Sequence, residues 1–509
     1  MLRSDPKQTE FCNFLLPFGG KLSPTNRWVK LAEMMPWELI EKCYAESLSR
    51  TGMGAPAKLG RTAYGALIIK ERLGVTDEET VEQIQENPYL QYFLGFQRYE
   101  NEKPFDPSMM VHFRKRFTEE HHQLINSSII EEATKEQDGD DDNNGENGGQ
   151  NSEGQSPPNS GKLLIDATCT PADITYPTDL KLLAEAREKT ELYIDTLHAP
   201  NRGIVRKPRT YRQKARRQHL SVAKQKKPGK KKINKAIGQQ LRYIKRNLRI
   251  IDDLLERGAS LRQLDNYQIK CLQVIHTLYQ QQLTKCETGN YSIPDRIVSI
   301  SQPHVRPIVR GKTSKPTEFG AKISISHLST GYVSLDRLSW DAYNEHADLP
   351  EQAELYKQRF GHYPESMHAD QIYRTKANRA YCTQRGIRLS AKPLGRPKKE
   401  TEANKEQLKA QRKQLHQDEL DRIPVEGKFG NAKRKGTLDR IMAKLSSTSK
   451  TVIHVGIIVL NLDKWLKSYF LSPVLELFGQ FIELLSILEQ GFKRRATACR
   501  VSGGAENLV

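Results

Sequence analysis

Two periods of apolar and polar residues divide this chain, and the helical one comes first. From 59 to 73 (LGRTAYGALIIKERL), Leu59, Ala63, Ala66, Leu67 and Leu73 recur at mostly helical spacing and predict an amphipathic helix. Thr76-Asp77-Glu78-Glu79 has the form of a capping box, with Thr76 as cap and Glu79 reaching back, before a helix carrying Val81 and Ile84. Asn87-Pro88 breaks that helix, and Tyr89 to Phe96 restarts as an aromatic-rich segment. Asp106-Pro107-Ser108 reads as a further start, with Asp106 at the cap and Pro107 in the first turn. The helix after it, MMVHFRKRF, ends on the cations Arg114, Lys115 and Arg116. Residues 1–135 are therefore expected to be an all-helical domain. A helix-turn-helix reader of DNA and a plain helical bundle both fit this pattern.

Periodicity then stops. Residues 136–161 are rich in Asp, Asn, Gly and Ser and read as a flexible acidic linker, a tether more than a competitor for a basic channel. Leu163, Leu164 and Ile165 follow as a strand that would present Asp166 at its end, and Asp179 further on reads as a helix cap. About a hundred helical residues come next. In them Leu241, Ile244, Leu248, Ile251, Leu254 and Leu255 form one apolar stripe within a pattern that stays helical from Ala236 to Tyr279. After Pro294 the period shortens to two. AKISISHL (321–328) and GYVSLDRLSW (331–340) alternate, and Ser329-Thr330-Gly331 between them predicts a hairpin. A helix over 351–360, a short strand over 363–369 ending at Asp370, a helix over 378–385 closed by Gly386, a strand over 387–391 and a long charged helix over 401–421 complete the series. Val452 to Leu462 is apolar but interrupted by His454 and Asn461. It is too short for a bilayer, which takes roughly 20 apolar residues, and is expected to be a buried helix.

Composition sharpens the picture. With 509 residues and 37% hydrophobic content, the chain is expected to form two or three domains and not one large globule. Its formal net charge of +19 favours a polyanionic partner. The excess is clustered. No acidic residue lies between Asp195 and Asp252, while Lys and Arg occupy nineteen positions from Arg202 to Arg249. Such a run is either solvated or laid on phosphates. Lys226, Lys227, Lys230, Lys231 and Lys232 lie in KKPGKKKINK (226–235), which reads as a mobile basic loop, and Tyr211 and Tyr243 allow stacking on bases or sugars. The seven cysteines include no C-x-x-C pair and the thirteen histidines no ligand spacing, which points to reduced thiols in a cytosolic setting and away from structural zinc. The first residues lack the apolar core of a signal peptide. Gly311-Lys312-Thr313 lacks the earlier glycine of a phosphate-binding loop, because Arg306 stands there. Gly395-Arg396-Pro397-Lys398-Lys399 is similar to minor-groove-binding arms, though a plain loop is the default reading.

One further stretch, DRIPVEGKFGNAKR (421–434), places Glu426 among cations. Arg422 lies four residues before it and Lys433 seven after, so in a helix all three share a face. Gly427 and Gly430 predict that such a helix is weak or starts here. A carboxylate on a basic face suits a metal beside a phosphate, and the same spacing serves an ordinary ion-pair ladder.

Taken together, the D-A-T-x-x-P-A-D-I-x-Y-P-T-D-L run from Asp166 to Leu180, the A-D-Q-x-Y run from Ala369 to Tyr373 and the R-x3-E-x6-K spacing around Glu426 resemble the DDE transposases of bacterial insertion sequences. Residues 1–135 are similar to the N-terminal domain of InsH-type members. In one large transposase group a Tyr precedes the Arg by three residues; here Glu419 takes that place. The resemblance implies an α/β fold: a ribonuclease-H-like catalytic domain over 162–465, with a large helical basic insertion at about 180–293. A C-terminal helical tail over 466–509 follows. It implies Asp166, Asp370 and Glu426 as ligands of two Mg2+ or Mn2+ ions, with Asp166 bridging, and Arg422 and Lys433 on DNA phosphates. Two ions roughly 3.5–4 Å apart can stabilise both the attacking and the leaving oxygen of a phosphodiester. The implied activity is cleavage at element ends and strand transfer to target DNA, by a homo-oligomer assembled on DNA in the bacterial cytosol, associated with the nucleoid and not with a membrane. Implied DNA contacts also include Arg114, Lys115, Arg116, Tyr211 and the lysines of 226–232. A hydrolytic nuclease of the same fold and a DNA-binding protein derived from a transposase are the alternatives.

Overall fold

A computed structural model describes residues 10, 13–16, 20–48, 56–139, 158–290, 292–309, 316–390, 395, 399–434 and 436–471. The chain divides into two compact units, one made of 1–150 with 457–509 and the other of 151–456. Residues 396–398 of the basic segment 395–399, most of the acidic linker, the 311–313 motif and the tail beyond 471 lie outside the described residues.

The first unit is helical: α1 (Arg27–Met34), α2 (Trp37–Glu46), α3 (Gly60–Leu73), α4 (Asp77–Glu86), α5 (Pro88–Phe93), α6 (Met109–Arg116) and α7 (Glu119–Gly139). The cap of α4 is as expected, for the Thr76 hydroxyl accepts from the Glu79 amide. The Glu79 carboxylate, however, accepts from Gln83, one turn on. Asp106 does not cap α6. It accepts from the Ser108 amide in a preceding turn, and the helix starts at Met109. Trp28 and Trp37 pack edge-on against Phe93 in the core. Arg61, 2% exposed, is made tolerable there by donating to the carbonyls of Phe93 and Tyr92 and stacking on Trp37. Residues 457–471, the end of a helix α15 over 446–471, complete this unit. Arg72 pairs with Asp463 at 2.8 Å, and the Asn461 amide donates to Asn126 at 2.8 Å. The apolar run 452–462 is thus a buried helical segment.

The second unit is mixed α/β. Its sheet contains β1 (Lys162–Pro171), β2 (Arg306–Val309), β3 (Thr317–Leu328), β4 (Val333–Ser339), β5 (Ser366–His368) and β6 (Arg388–Ser390), in the order β2-β3-β1-β5-β6, with β4 also on β3. The strands β2, β3, β4 and β1 pair antiparallel, whereas β5 and β6 run parallel to β1. The expected hairpin joins β3 to β4, with Gly331 at φ +84° in its turn. Between and after the strands come α8 (Asp179–His198), α9 (Arg212–Ala223), α10 (Lys230–Glu256), α11 (Asn266–Thr288), α12 (Leu349–Phe360), α13 (Lys376–Gln384) and α14 (Lys405–Arg434). α12 and α14 pack on β1.

Four expectations need correction. β1 does not end at Asp166 but runs five residues further, so Asp166 sits mid-strand opposite Ile325. Asp179 is the first residue of α8 and Thr178 is its cap. The Asp179 carboxylate instead collects Lys285, Gln282 and Arg296. The 236–279 stretch is two helices separated at 257–265, where Asp265 and Gln268 form a capping box. And the 421–434 stretch is no weak start but the last half of the 30-residue α14, which passes through Pro424.

The insertion has its own core. Leu183, Ile194 and Leu197 of α8 meet Ile244, Leu248 and Ile251 of α10 and Ile275 and Leu278 of α11. Arg187, 1% exposed, ties α8 to α10 through Gln240 at 3.0 Å and pairs with Glu191 at 2.7 Å.

Candidate active site

A cavity of about 600 Å3 opens at β1, lined by Asp166, Thr168, Lys322, Tyr343, Glu345 and Asp370 among others. Two elements bring the aspartates together. β1 and β5 are adjacent and parallel, and Asp370 follows β5 by two residues. Asp370 is then fixed by its own backbone, because its carboxylate accepts from the Gln371 amide and caps the 3-10 turn Gln371–Tyr373. Asp166 accepts from the Ala167 amide at 2.8 Å. Burial pushes its carboxyl up to about 6; the amide and Arg422 pull it down, and the charges of Glu345 and Asp370 add to the rise. The cavity thus gathers hard oxygen donors in excess of the cations beside them, which is a donor set that fits Mg2+ or Mn2+.

α14 supplies the third side. Its position is set by a clamp at its middle. Arg388 on β6 donates to both oxygens of Asp418, at 2.9 and 3.0 Å, and Lys162 at the start of β1 pairs with Asp421 at 2.7 Å. Asp418, Asp421 and His368 offer ligand atoms within 4.8 Å of one another. The two carboxylates already have Arg388 and Lys162 as counter-ions, so we read the group as the joint between helix and sheet. One turn beyond, the Arg422 guanidinium donates to Asp370 at 3.3 Å. Two turns beyond Glu426, the Lys433 ammonium donates to Thr168 at 3.0 Å. Lys433 therefore reaches β1 two residues beyond Asp166, and Arg422 reaches Asp370 just after β5. Glu426 lies between them on the helix and is exposed, outside the lining of the cavity.

The remaining sequence candidates are spread over other surfaces. Lys226, Lys227, Lys230, Lys231 and Lys232 are all exposed and make no ion pair among the described residues. Lys226 and Lys227 lie in the connection 225–229 between α9 and α10. Lys230 to Lys232 open α10, where they add to the positive end of the helix dipole, so from Lys230 on the segment is helix and not the expected loop. Tyr211 is half exposed, but Arg246 covers one ring face at 4.8 Å. Arg212 and Lys207 are taken up by Asp195. In the first unit Lys115 is exposed and Arg116 donates to the Tyr44 hydroxyl at 2.7 Å. Arg114 is buried with its guanidinium on Asp77, away from the surface where a nucleic acid would touch it.

Sequence reasoning missed Glu345 and Lys322. Glu345 opens a 3-10 turn (Glu345–Ala347) between β4 and α12, and Lys322 of β3 pairs with it at 2.7 Å. The only signal was a polar triplet, Asn344-Glu345-His346, after an alternating strand.

Residues 367–463 match the family described as "Transposase DDE domain", and residues 17–116 match "Transposase domain (DUF772)". An uncharacterized protein of Rhizobium meliloti, ORF8 in the nfe locus, is 28% identical over 185 residues, which is 36% of this chain and 77% of the relative. No solved structure matches the chain.

Proposed function

The chain belongs to the DDE transposases of insertion sequences, and on that premise we propose that it binds the ends of a mobile element, cleaves DNA there and joins the freed ends to target DNA. The proposed catalytic unit is a ribonuclease-H-like domain interrupted by the basic insertion. Two features support that reading: β1 flanked by antiparallel β3 and parallel β5, and helices α12, α13 and α14 placed after β4, β5 and β6. The observation that carries the proposal is the pair Asp166 and Asp370 lining one cavity at neighbouring parallel strands. Beside it runs a helix whose Arg422 and Lys433 reach Asp370 and Thr168, on either side of Glu426.

Asp166 and Asp370 would hold Mg2+ or Mn2+, with Glu426, exposed on α14 beside them, as the proposed third ligand. When bound, two such ions supply Lewis-acid stabilisation of the attacking and leaving oxygens. The chain's own residues do the rest. Lys433, an ammonium with donors only, cannot ligate a metal and is suited to hold a phosphate oxygen beside the carboxylates. Arg422 loses its partner once Asp370 takes a cation, and its planar fork then suits a second phosphate. The lysines of 226–232 extend the footprint along the backbone without reading bases. In hydrolysis a water attacks phosphorus and the 3′ oxygen leaves. In transfer that 3′ hydroxyl attacks a target phosphorus, a new 3′–5′ phosphodiester forms as the target P–O3′ bond breaks, and a target strand ending in a free 3′ hydroxyl is released, so one carboxylate set serves both nucleophiles. The described residues contain no helix long and apolar enough to cross a membrane. The proposed setting is the bacterial cytosol, on DNA, as a homo-oligomer.

The test is a plasmid assay with candidate element ends supplied. Asp166→Ala, Asp370→Ala and Glu426→Ala should each abolish cleavage while DNA binding persists. A variant that cleaves at the wild-type rate removes that residue from the ligand set. Cleavage with no joined products would identify a nuclease, and binding with neither would identify a DNA-binding derivative.

A further inference from the structure

The cavity that holds Asp166 and Asp370 is lined by a third carboxylate that is not Glu426. Glu345 enters it from the connection between β4 and α12. It is not a freely swinging surface acid, for Lys322 and Asn378 place it. Lys322, itself lining the cavity, holds the carboxylate at 2.7 Å and donates to the Tyr343 carbonyl at 2.8 Å. The buried Asn378 amide donates to the His346 carbonyl at 2.7 Å and to the Tyr373 carbonyl at 2.8 Å. Asn378 thereby ties the turn that carries Glu345 to the turn that Asp370 caps.

A second observation brings the charges of two of these acids onto one buried group. Tyr373 is 0% exposed, and the buried Ser324 hydroxyl is its hydrogen-bonding neighbour. Burial raises the Tyr373 hydroxyl above its ordinary range, and the negative charges of Glu345 and Asp166 add to the rise while Ser324 pulls the other way.

We infer that Glu345 is an outer carboxylate of the divalent-ion site, accepting hydrogen bonds from the hydration shell of an ion held by Asp166 and Asp370. The inference rests on the function proposed above. An outer role follows from the chemistry. Lys322 already engages the carboxylate, which raises the cost of its binding an ion directly, and Mg2+ and Mn2+ sites keep several waters whose protons need acceptors. Outer partners of this kind typically change metal affinity by about 10- to 100-fold.

The experiment titrates Mn2+ into the full-length protein without DNA, following free Mn2+ by electron paramagnetic resonance and bound Mn2+ by water-proton relaxation. Wild type is compared with Asp166→Ala, Glu345→Gln, Glu345→Asp and Lys322→Gln, each checked for folding by circular dichroism. Asp166→Ala should lose the site. Glu345→Gln should weaken it by about 10- to 100-fold, Glu345→Asp should recover part of that, and Lys322→Gln, which removes a cation beside the ion but keeps the carboxylate, should bind at least as tightly as wild type. If Glu345→Gln binds like wild type while Asp166→Ala does not, the inference falls and the proposed function stands. Equal losses in Glu345→Gln and Lys322→Gln would make the pair merely structural and overturn the inference. If Asp166→Ala binds as tightly as wild type, the proposed metal site falls and the inference with it.

Discussion

The joint between α14 and the sheet gives the most quantitative prediction. Asp418 is 7% exposed and takes two bonds from Arg388, whose side chain is 41% exposed. Burial pushes the Asp418 carboxyl up, but the bonds from Arg388 and Gln414 outweigh it and leave it below the ordinary value. A buried charge-assisted hydrogen bond contributes roughly 1.5–3 kcal/mol, while a fully exposed pair contributes roughly 0–1 kcal/mol. A bidentate pair half in water falls between, at about 2 kcal/mol. In domains of roughly 150–250 residues each kcal/mol moves Tm by about 2–4 °C, so Arg388→Ala should lower the melting transition of the second unit by about 4–8 °C at pH 7. The sign with pH follows from the lowered carboxyl. Its contribution is present above the unfolded value near 4 and is lost as pH falls through the folded value. The gap between wild type and Arg388→Ala should therefore narrow as pH falls below the unfolded value near 4. The assay is calorimetry of wild type, Arg388→Ala, Asp418→Asn and the double variant, with coupling taken from the cycle. An Arg388→Ala melt within a degree of wild type at pH 7, or losses that simply add in the double variant, would refute the reasoning. Because α14 carries Arg422, Glu426 and Lys433, its loosening should also cut cleavage by about 10- to 100-fold.

Three further outcomes are expected. Lys433→Ala should lose about 10- to 1000-fold in cleavage and Lys433→Arg less; full rescue by excess Mg2+ would move Lys433 to the metal site and end its phosphate role. Neutralising Lys226, Lys227, Lys230, Lys231 and Lys232 should weaken DNA binding with little sequence preference and flatten its salt dependence, each lost phosphate contact removing roughly 0.9 from the slope of log K against log salt; an unchanged slope would assign the run to solvent. The Asp166 carboxyl, raised to about 6, makes its charged form a cost to the ion-free fold that grows as pH rises from about 4 to about 6. A proton should then compete with the ion, so Mn2+ affinity should drop about tenfold between pH 8 and pH 5, and a flat profile would remove Asp166 as a ligand.

Periodicity was enough to read the elements whose two sides differ. The β3–β4 hairpin alternates because one face of each strand is buried, and the α10 stripe is legible because its other face carries lysines and arginines. The order of Asp166, Asp370 and Glu426, and the spacing of Arg422 and Lys433 about Glu426, are likewise properties of the chain alone. The full length of β1 is not legible in its pattern because it is a central strand. Ala167, Thr168, Cys169 and Thr170 are buried whichever face they take, so no alternation announces them. α14 was read as ending early because Pro424, Gly427 and Gly430 have poor intrinsic propensity. Buried Val425 and Ala432, the Asp418 clamp and the reach of Arg422 and Lys433 hold it together instead. Pro424 sits inside the helix even so, although proline removes a helical hydrogen bond. Arg114 shows the limit in the other direction, a basic residue in a basic run that Asp77 draws inside. Neither Glu345 nor the return of 457–471 to the N-terminal unit could be read locally. Each depends on a contact between residues far apart in the chain, and side-chain pattern encodes the face a residue takes but not the distant segment it meets.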